Sequence, residues 1–315
     1  SVAVWTQTQE TLTSGDAWED GFTKALKMDC TTADTSPGVD HGAFMEYKME
    51  GADVKAFKKG TPNAQTYTVA FWVKATKTGT HCINLGDRTN DRIINAAYTV
   101  NSTNTWEKKV INLAADTTGS IAAGSYYQGE NGQGMRLIFS LYAGTNYTSS
   151  SLQTSWGSWV TAARMTGQVN TADSTSNNWH ITGVQLELGT YTAATLPPFQ
   201  HESYGDNLAR CQRYYQQPII DGFCAPGWRA GTNWIYFFIP YTVPMRAQPT
   251  VTETGTFNCH GEGNDGTFTA ISPNKNSQVG LLAIATNSTF NLGGGHPAIA
   301  EVTSATPQIY LDSEL

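Results

Sequence analysis

The 315-residue chain carries 19 Lys and Arg against 26 Asp and Glu, a formal net charge of −7. That balance argues against a surface built to neutralise phosphates, which takes clustered Lys and Arg. Charged residues make up only 14%, against roughly 25% in an ordinary soluble domain. Thr, Ser, Asn and Gln take their place, a mixture that suits strands and turns better than helices. An aromatic content of 11%, with nine Trp, is far from the composition of a disordered chain.

The length predicts about two domains. No run approaches the roughly 18 apolar residues of a membrane helix, so no membrane insertion is expected. The opening Ser1-Val2-Ala3-Val4-Trp5 lacks the basic start and apolar middle of a secretion signal. It also lacks an initiator Met; whether that Met was removed or the chain is a piece of something longer stays open.

The first clear strand signal is Tyr67 to Lys74, where Tyr67, Val69, Phe71 and Val73 share a face that is predicted to be core. Gly79 permits a turn, and strands follow at His81 to Leu85, Ala97 to Val100 and Trp106 to Leu113, the last with Val110 or Ile111 inward. Met135, Leu137, Phe139 and Leu141 alternate inward in the next strand. Trp179 to Leu188 closes the series, with Val184, Leu186 and Leu188 on one face. Long Ser/Thr/Asn/Gly segments, 117–134 and 146–178, separate these strands. The pattern predicts an all-β chain whose residues 1–195 form a jelly-roll β-sandwich.

Residues 196–217 read as a linker with a short helix. Leu196-Pro197-Pro198-Phe199 cannot continue a ladder, and Asp206 is positioned to cap a helix over Asn207 to Tyr215, apolar at Leu208, Cys211 and Tyr215. Pro218 ends it. Residues 218–315 read as a second, smaller β-sandwich, with strands at 234–239, 250–254, 267–271, 279–285 and 298–302. No internal repeat or heptad stretch is present.

Catalytic and metal signatures are absent: no GxSxG, no HExxH, and no phosphate loop, although Gly293-Gly294-Gly295 is Gly-rich. Gly261 to Gly266 reads as a hairpin turn rather than a calcium loop. The six His share no ligand spacing, and close acids such as Asp87 and Asp91 read as solvated charge. No catalytic residue, no metal and no cofactor is therefore expected, and the chain is read as not an enzyme. The five Cys are widely spaced and read as mostly buried thiols, with Cys211 and Cys224 near enough to bridge. Sequons at Asn101, Asn146 and Asn287 are expected by chance in so Thr- and Asn-rich a chain. Aromatics are the enriched chemistry. Trp72 sits opposite the core face of its strand, Trp156 and Trp159 lie in a Ser/Gly loop, and Tyr142 and Tyr147 flank a Gly-Thr-Asn turn. These five rings are the candidate ligand contacts, for sugar or protein, with packing between or within subunits as the competing role.

Trp179-His180-Ile181-Thr182-Gly183-Val184-Gln185-Leu186-Glu187-Leu188-Gly189 resembles a signature of bacteriophage virion proteins of the tail-fibre type. Pro198 to Tyr215, with Asp206-Asn207-Leu208-Ala209-Arg210-Cys211-Gln212-Arg213-Tyr214-Tyr215, resembles its sequel. Phe71-Trp72-Val73-Lys74, Thr105-Trp106-Glu107-Lys108, Pro244 to Val251 and the Leu311-Asp312-Ser313-Glu314-Leu315 ending are similar too. The likeness runs from about Phe57 to the end; residues 1–56 match poorly, which favours a fragment or an anchor located elsewhere.

The resemblance implies a jelly roll like a carbohydrate-binding module in a virion appendage assembled in the host cytoplasm, with no catalytic residues to carry over. Its implied partners are other copies of the chain, as a homotrimer, other virion proteins, and a host surface glycan or protein reached through weak multivalent contacts; no nucleic acid is expected. A purely structural bracing role is the alternative, and a glycan depolymerase is the reading least supported.

Overall fold

The computed structural model describes residues 2–119, 132–218, 224–229, 233–261, 264–286, 295–302 and 308–314. Most of residues 117–134, Asn287, Gly293, Gly294, residues 262 and 263 and the Cys224 side chain lie outside the described residues. The all-β expectation holds: 49% of residues are in strands and 8% are helical. The chain divides into two units, Ser1–Gln200 and His201–Leu315.

The first unit contains β1 (Val4–Thr11), β2 (Lys24–Thr32), β3 (Gly42–Glu50), β4 (Tyr67–Ala75), β5 (Gly79–Asp87), β6 (Arg92–Val100), β7 (Glu107–Leu113), β8 (Gln133–Ala143), β9 (Gly157–Ser158) and β10 (Asn178–Leu188). They form two antiparallel five-stranded sheets, ordered β1-β2-β10-β4-β7 and β3-β8-β5-β6-β9. Neighbours distant in sequence, such as β3 with β8 and β4 with β10, pair as in a jelly roll.

The core between the layers is the one the alternation predicted. Tyr67, Val69, Phe71 and Val73 of β4 meet Met135, Leu137, Phe139 and Leu141 of β8, with Trp179 wholly buried among them. Val184 departs from its expected place. One extra residue sits in β10 between Thr182, opposite Trp72, and Gln185, opposite Ala70. Gly183 takes a left-handed φ of 59° there, so the face alternation inverts across the bulge. Trp179 and Ile181 point inward before it and Leu186 and Leu188 after it, while Val184 is exposed. The strands β1, β2 and β3 had no clean sequence signal. β1 is a mostly exposed edge strand, Val-Trp-Thr-Gln-Thr-Gln-Glu-Thr, in which little is buried to enforce a pattern.

A buried cation braces one end of this unit. The fully buried Lys59 Nζ lies 2.6 Å from Asp87 and 3.1 Å from Asp116, and donates to the carbonyls of Thr118 and Gly119. Arg92 grips Asp116 with two bonds of 2.8 and 2.7 Å. Burial by itself raises the Asp116 carboxyl, but the bonds from Arg92 and Lys59 outweigh it and hold the group below the usual range.

In the second unit the helix spans Tyr204–Gln212, three residues earlier than expected. Its cap is Ser203, whose side chain accepts from the Asp206 amide, rather than Asp206. No residue of the helix is buried, so the apolar face expected at Leu208 and Cys211 is not core. Its strands are β11 (Tyr215–Gln216), β12 (Cys224–Arg229), β13 (Trp234–Pro240), β14 (Thr250–Thr254), β15 (Phe257–Gly261), β16 (Asn264–Phe268), β17 (Ile271–Asn276), β18 (Gly280–Thr286), β19 (Pro297–Glu301) and β20 (Gln308–Asp312). The segment read as one strand at 267–271 is the end of β16 and the start of β17, separated by a turn. A three-stranded sheet, β11-β20-β14, packs on a seven-stranded one, β16-β15-β19-β12-β13-β18-β17, around Phe237, Leu281, Phe268 and Leu311. Cys30, Cys82 and Cys259 are buried thiols, and Cys211 is an exposed thiol; its expected bridge to Cys224 falls on a side chain outside the described residues.

His81 sets a pH dependence. It is fully buried, stacked on Tyr98 at 5.4 Å, and burial pushes its pKa down to about 4. An unfolded chain takes up that proton near pH 6.5, the folded one only near 4. The stability His81 contributes is therefore complete above pH 6.5 and lost as pH falls toward 4, by on the order of 3 kcal/mol. Urea unfolding at pH 7, 5.5 and 4.5 is expected to show that decline, and His81→Asn is expected to flatten it.

Candidate functional site

The five candidate rings do not form one patch. Tyr142 is 1% exposed, its hydroxyl accepting from the Ala3 amide beside Cys30 and Ala172. Trp72 is 8% exposed on the outer face of β4, donating to Asp20 at 3.0 Å and packed with Trp106 and Leu12. Trp156 donates to the Ala114 carbonyl at 2.7 Å and rests against the core beside Tyr67. Trp159 and Tyr147, by contrast, belong to one cluster on the outer face of the β3-β8-β5-β6 sheet.

That cluster exists because residues 145–173 fold back over the sheet. Asn84 of β5 and Asn95 of β6 are register partners; their amides donate to the carbonyls of Arg164 and Ala163 at 2.8 and 2.9 Å. Gln153 donates to Ile93 O, and the Trp159 amide to Asp91 O. The Trp159 ring lies on Gly86, where any Cβ would collide with it. Three guanidiniums lie over this indole, with Arg136, Arg88 and Arg164 at 4.4, 4.8 and 5.0 Å from its centre. Arg164 also lies over Phe44 and Tyr147, themselves edge-to-face at 5.3 Å.

The charges are unevenly matched. Arg136 meets both oxygens of Glu46 at 3.1 and 3.2 Å, and Arg88 meets Asp91 at 3.4 Å. Among the described residues Arg164, 7% exposed, forms no ion pair. One of its terminal nitrogens reaches Asn84 Oδ1 at 3.4 Å, and its Nε has no partner. Burial, then the neighbouring Arg136, pushes its pKa down to about 10. Ser140, opposite Phe44 across β8 and β3, is also buried with its hydroxyl unsatisfied.

A second surface lies in the other unit and was missed as a site. β13 reads Trp-Ile-Tyr-Phe-Phe-Ile, apolar on both faces. Ile235, Phe237 and Ile239 are core, which turns Trp234, Tyr236 and Phe238 outward. Register places Trp228 and Ile284 beside Tyr236, Leu282 beside Phe238, and Ile299 beside Pro226. Trp228 and Tyr236 stack at 5.2 Å with an interplanar angle of 14°. Trp234, Phe238, Trp228 and Ile299 remain 52, 47, 45 and 45% exposed. Half-exposed rings of roughly 150–250 Å² each put this face on the order of 400 Å², in the range of a functional patch. The sequence signal was available: an antiparallel strand with two apolar faces needs a cover on each.

Among the described residues no group of three or more His, Cys, Asp or Glu is placed to hold a metal, and no helix is long and apolar enough to cross a membrane.

No protein-family model and no curated protein matches the chain. Among solved structures it is similar to the enzymatically active domain of tailspike protein 4 of bacteriophage CBA120, at a TM-score of 0.28 and 12% identity over 58% of this chain. The chain spans 19% of that tailspike chain. It is similar to a CBM4 structure at a TM-score of 0.27 and 12% identity, covering 52% of this chain and 70% of that one. It is similar to the T=1 nodavirus of Penaeus vannamei at 0.20 and 10%, covering 89% and 93%. Likenesses this distant assign no activity.

The contact between Gly86 and Trp159 is directly testable. Gly86→Ala is expected to displace the indole, shift its N–H resonance and cost about 1–3 kcal/mol of stability by overpacking. An unshifted resonance with unchanged stability would show that Trp159 does not rest on β5.

Proposed function

We propose that the chain is a non-catalytic structural module of a phage virion appendage, which associates with copies of itself through the outer face of the seven-stranded sheet and presents its jelly roll to the host surface. The observation that carries this reading is the exposed aromatic face around Trp228, Trp234, Tyr236 and Phe238. Its centre, Trp228, Tyr236 and Phe238, is aromatic; charge stands at its margins, with Lys275 opposite Leu282 on the β17 side and His260 with Glu301 on the β15-β19 side. An aromatic centre with charge only at its margins is complementary to itself, and three such faces turned to one axis would bury their rings in a common core. The likeness of residues 179–215 to tail-fibre-type virion proteins supports the setting.

The test is the solution mass of the full chain. A mass of three chains is expected, with Trp234→Ser and Phe238→Ser monomeric and unchanged in secondary structure. A monomeric wild-type chain would overturn the assembly reading, and a dimer would overturn its threefold order. Host polysaccharide incubated with the chain is expected to yield no new reducing ends; their appearance would make the module an enzyme.

A further inference from the structure

We infer that the Trp159 cluster is a binding site for a carboxylated sugar, with Arg164 as the residue that receives the carboxylate. The glycan part of this inference rests on the surface-contact reading above; the anion part rests on the cluster alone.

Three guanidiniums converge on one indole; Glu46 meets Arg136 and Asp91 meets Arg88, while Arg164 forms no ion pair among the described residues. The member without an ion pair is the most buried one. A buried cation without a counter-ion is costly. Phe44, Tyr147 and Trp159 offset part of that cost through their ring faces. Contact with ring faces leaves guanidinium N–H groups for an oxyanion. The Arg164 Nε is buried without a partner, and so is the hydroxyl of Ser140, the register partner of the Phe44 over which Arg164 lies.

One guanidinium without an ion pair, with Glu46 close by, fits a monoanionic carboxylate better than a dianionic phosphate. The site is approached over Arg88, whose side chain is 34% exposed, and over the half-buried Trp159, while Glu46 at the rim can accept from a sugar hydroxyl. Position in the fold favours a ligand too. The cluster lies on an outer sheet face, under a loop pinned by Asn84 and Asn95, with Arg88 and Trp159 at its solvent side and Arg164 beneath them.

The experiment is a titration of the full chain, at low ionic strength, with glucuronate, glucose or inorganic sulfate, followed by the Trp159 indole and Arg164 Nε–H resonances. Glucuronate is expected to move both resonances saturably, glucose to move neither, and sulfate to bind at least tenfold more weakly than glucuronate. Arg164→Gln is expected to weaken glucuronate at least tenfold and Arg88→Gln severalfold. Should Arg164→Gln not fold, Arg88→Gln decides the matter, being at the surface. Unmoved resonances, equal binding of glucose, or undiminished affinity in the folded variants would overturn the site. Sulfate binding as tightly as glucuronate would overturn the sugar assignment. These outcomes are independent of assembly: a monomeric chain that binds glucuronate retains this site and loses only the oligomer.

Discussion

Every strand in a sandwich has two faces, and the core between the layers can take only one of them. In the first unit the inner faces of β4 and β8 close on each other around Trp179, and each outer face is then dealt with separately. On the β4 side, Trp72 and Trp106 pack with Leu12, Ala17 and Ala25 into a small satellite core. On the β8 side the cover is the 145–173 segment, held by the two asparagine amides. On the outer face of β13 the described residues supply no cover. The functional surfaces follow from this sequence of solutions: a loop that covers a face brings cationic and aromatic side chains onto it, and a face left bare is available to another molecule.

The alternating strands were legible because burial on one face enforces a period of two. β4 and β8 were read with the correct inward residues for that reason. The same logic failed wherever a single residue breaks the period. Val184 was misplaced because the bulge at Gly183 is set by a backbone turn that no hydrophobic pattern encodes. It failed again in β1, where an exposed edge strand has little burial to write a pattern. Of the candidate rings, Trp159 and Tyr147 were placed near chemistry that local sequence cannot display. Arg88, Arg136 and Arg164 come from two strand regions and a loop, and only the fold brings them to one indole. The β13 face is legible in the sequence, since Trp234, Tyr236 and Phe238 interleave with Ile235, Phe237 and Ile239, and a strand apolar on both sides has a second face to cover.

Two buried cations separate structural from functional chemistry. Lys59 is surrounded by four oxygens, two carboxylate and two carbonyl, within 3.1 Å. Its charge is matched and its donors are used, so it fixes the 114–119 segment to the β5–β6 hairpin and has nothing to offer a ligand. Arg164 is buried as a cation among rings, with one long bond to an amide. The difference is the unspent hydrogen-bonding capacity, and that capacity is what a ligand could use.

The two proposed surfaces need each other energetically. One carboxylate on a half-open guanidinium cluster, reached from solvent on one side, makes a weak contact. Copies fixed in one particle turn later contacts into intramolecular ones, so overall attachment strengthens without any single site tightening. A face with an apolar, aromatic centre suits permanent assembly, where burial is large and unchanging. A cationic, partly solvated cluster suits reversible contact with an acidic coat, where salt and competing anions must be able to release it. Placing the first in one folded unit and the second in another lets each surface keep the chemistry its role requires.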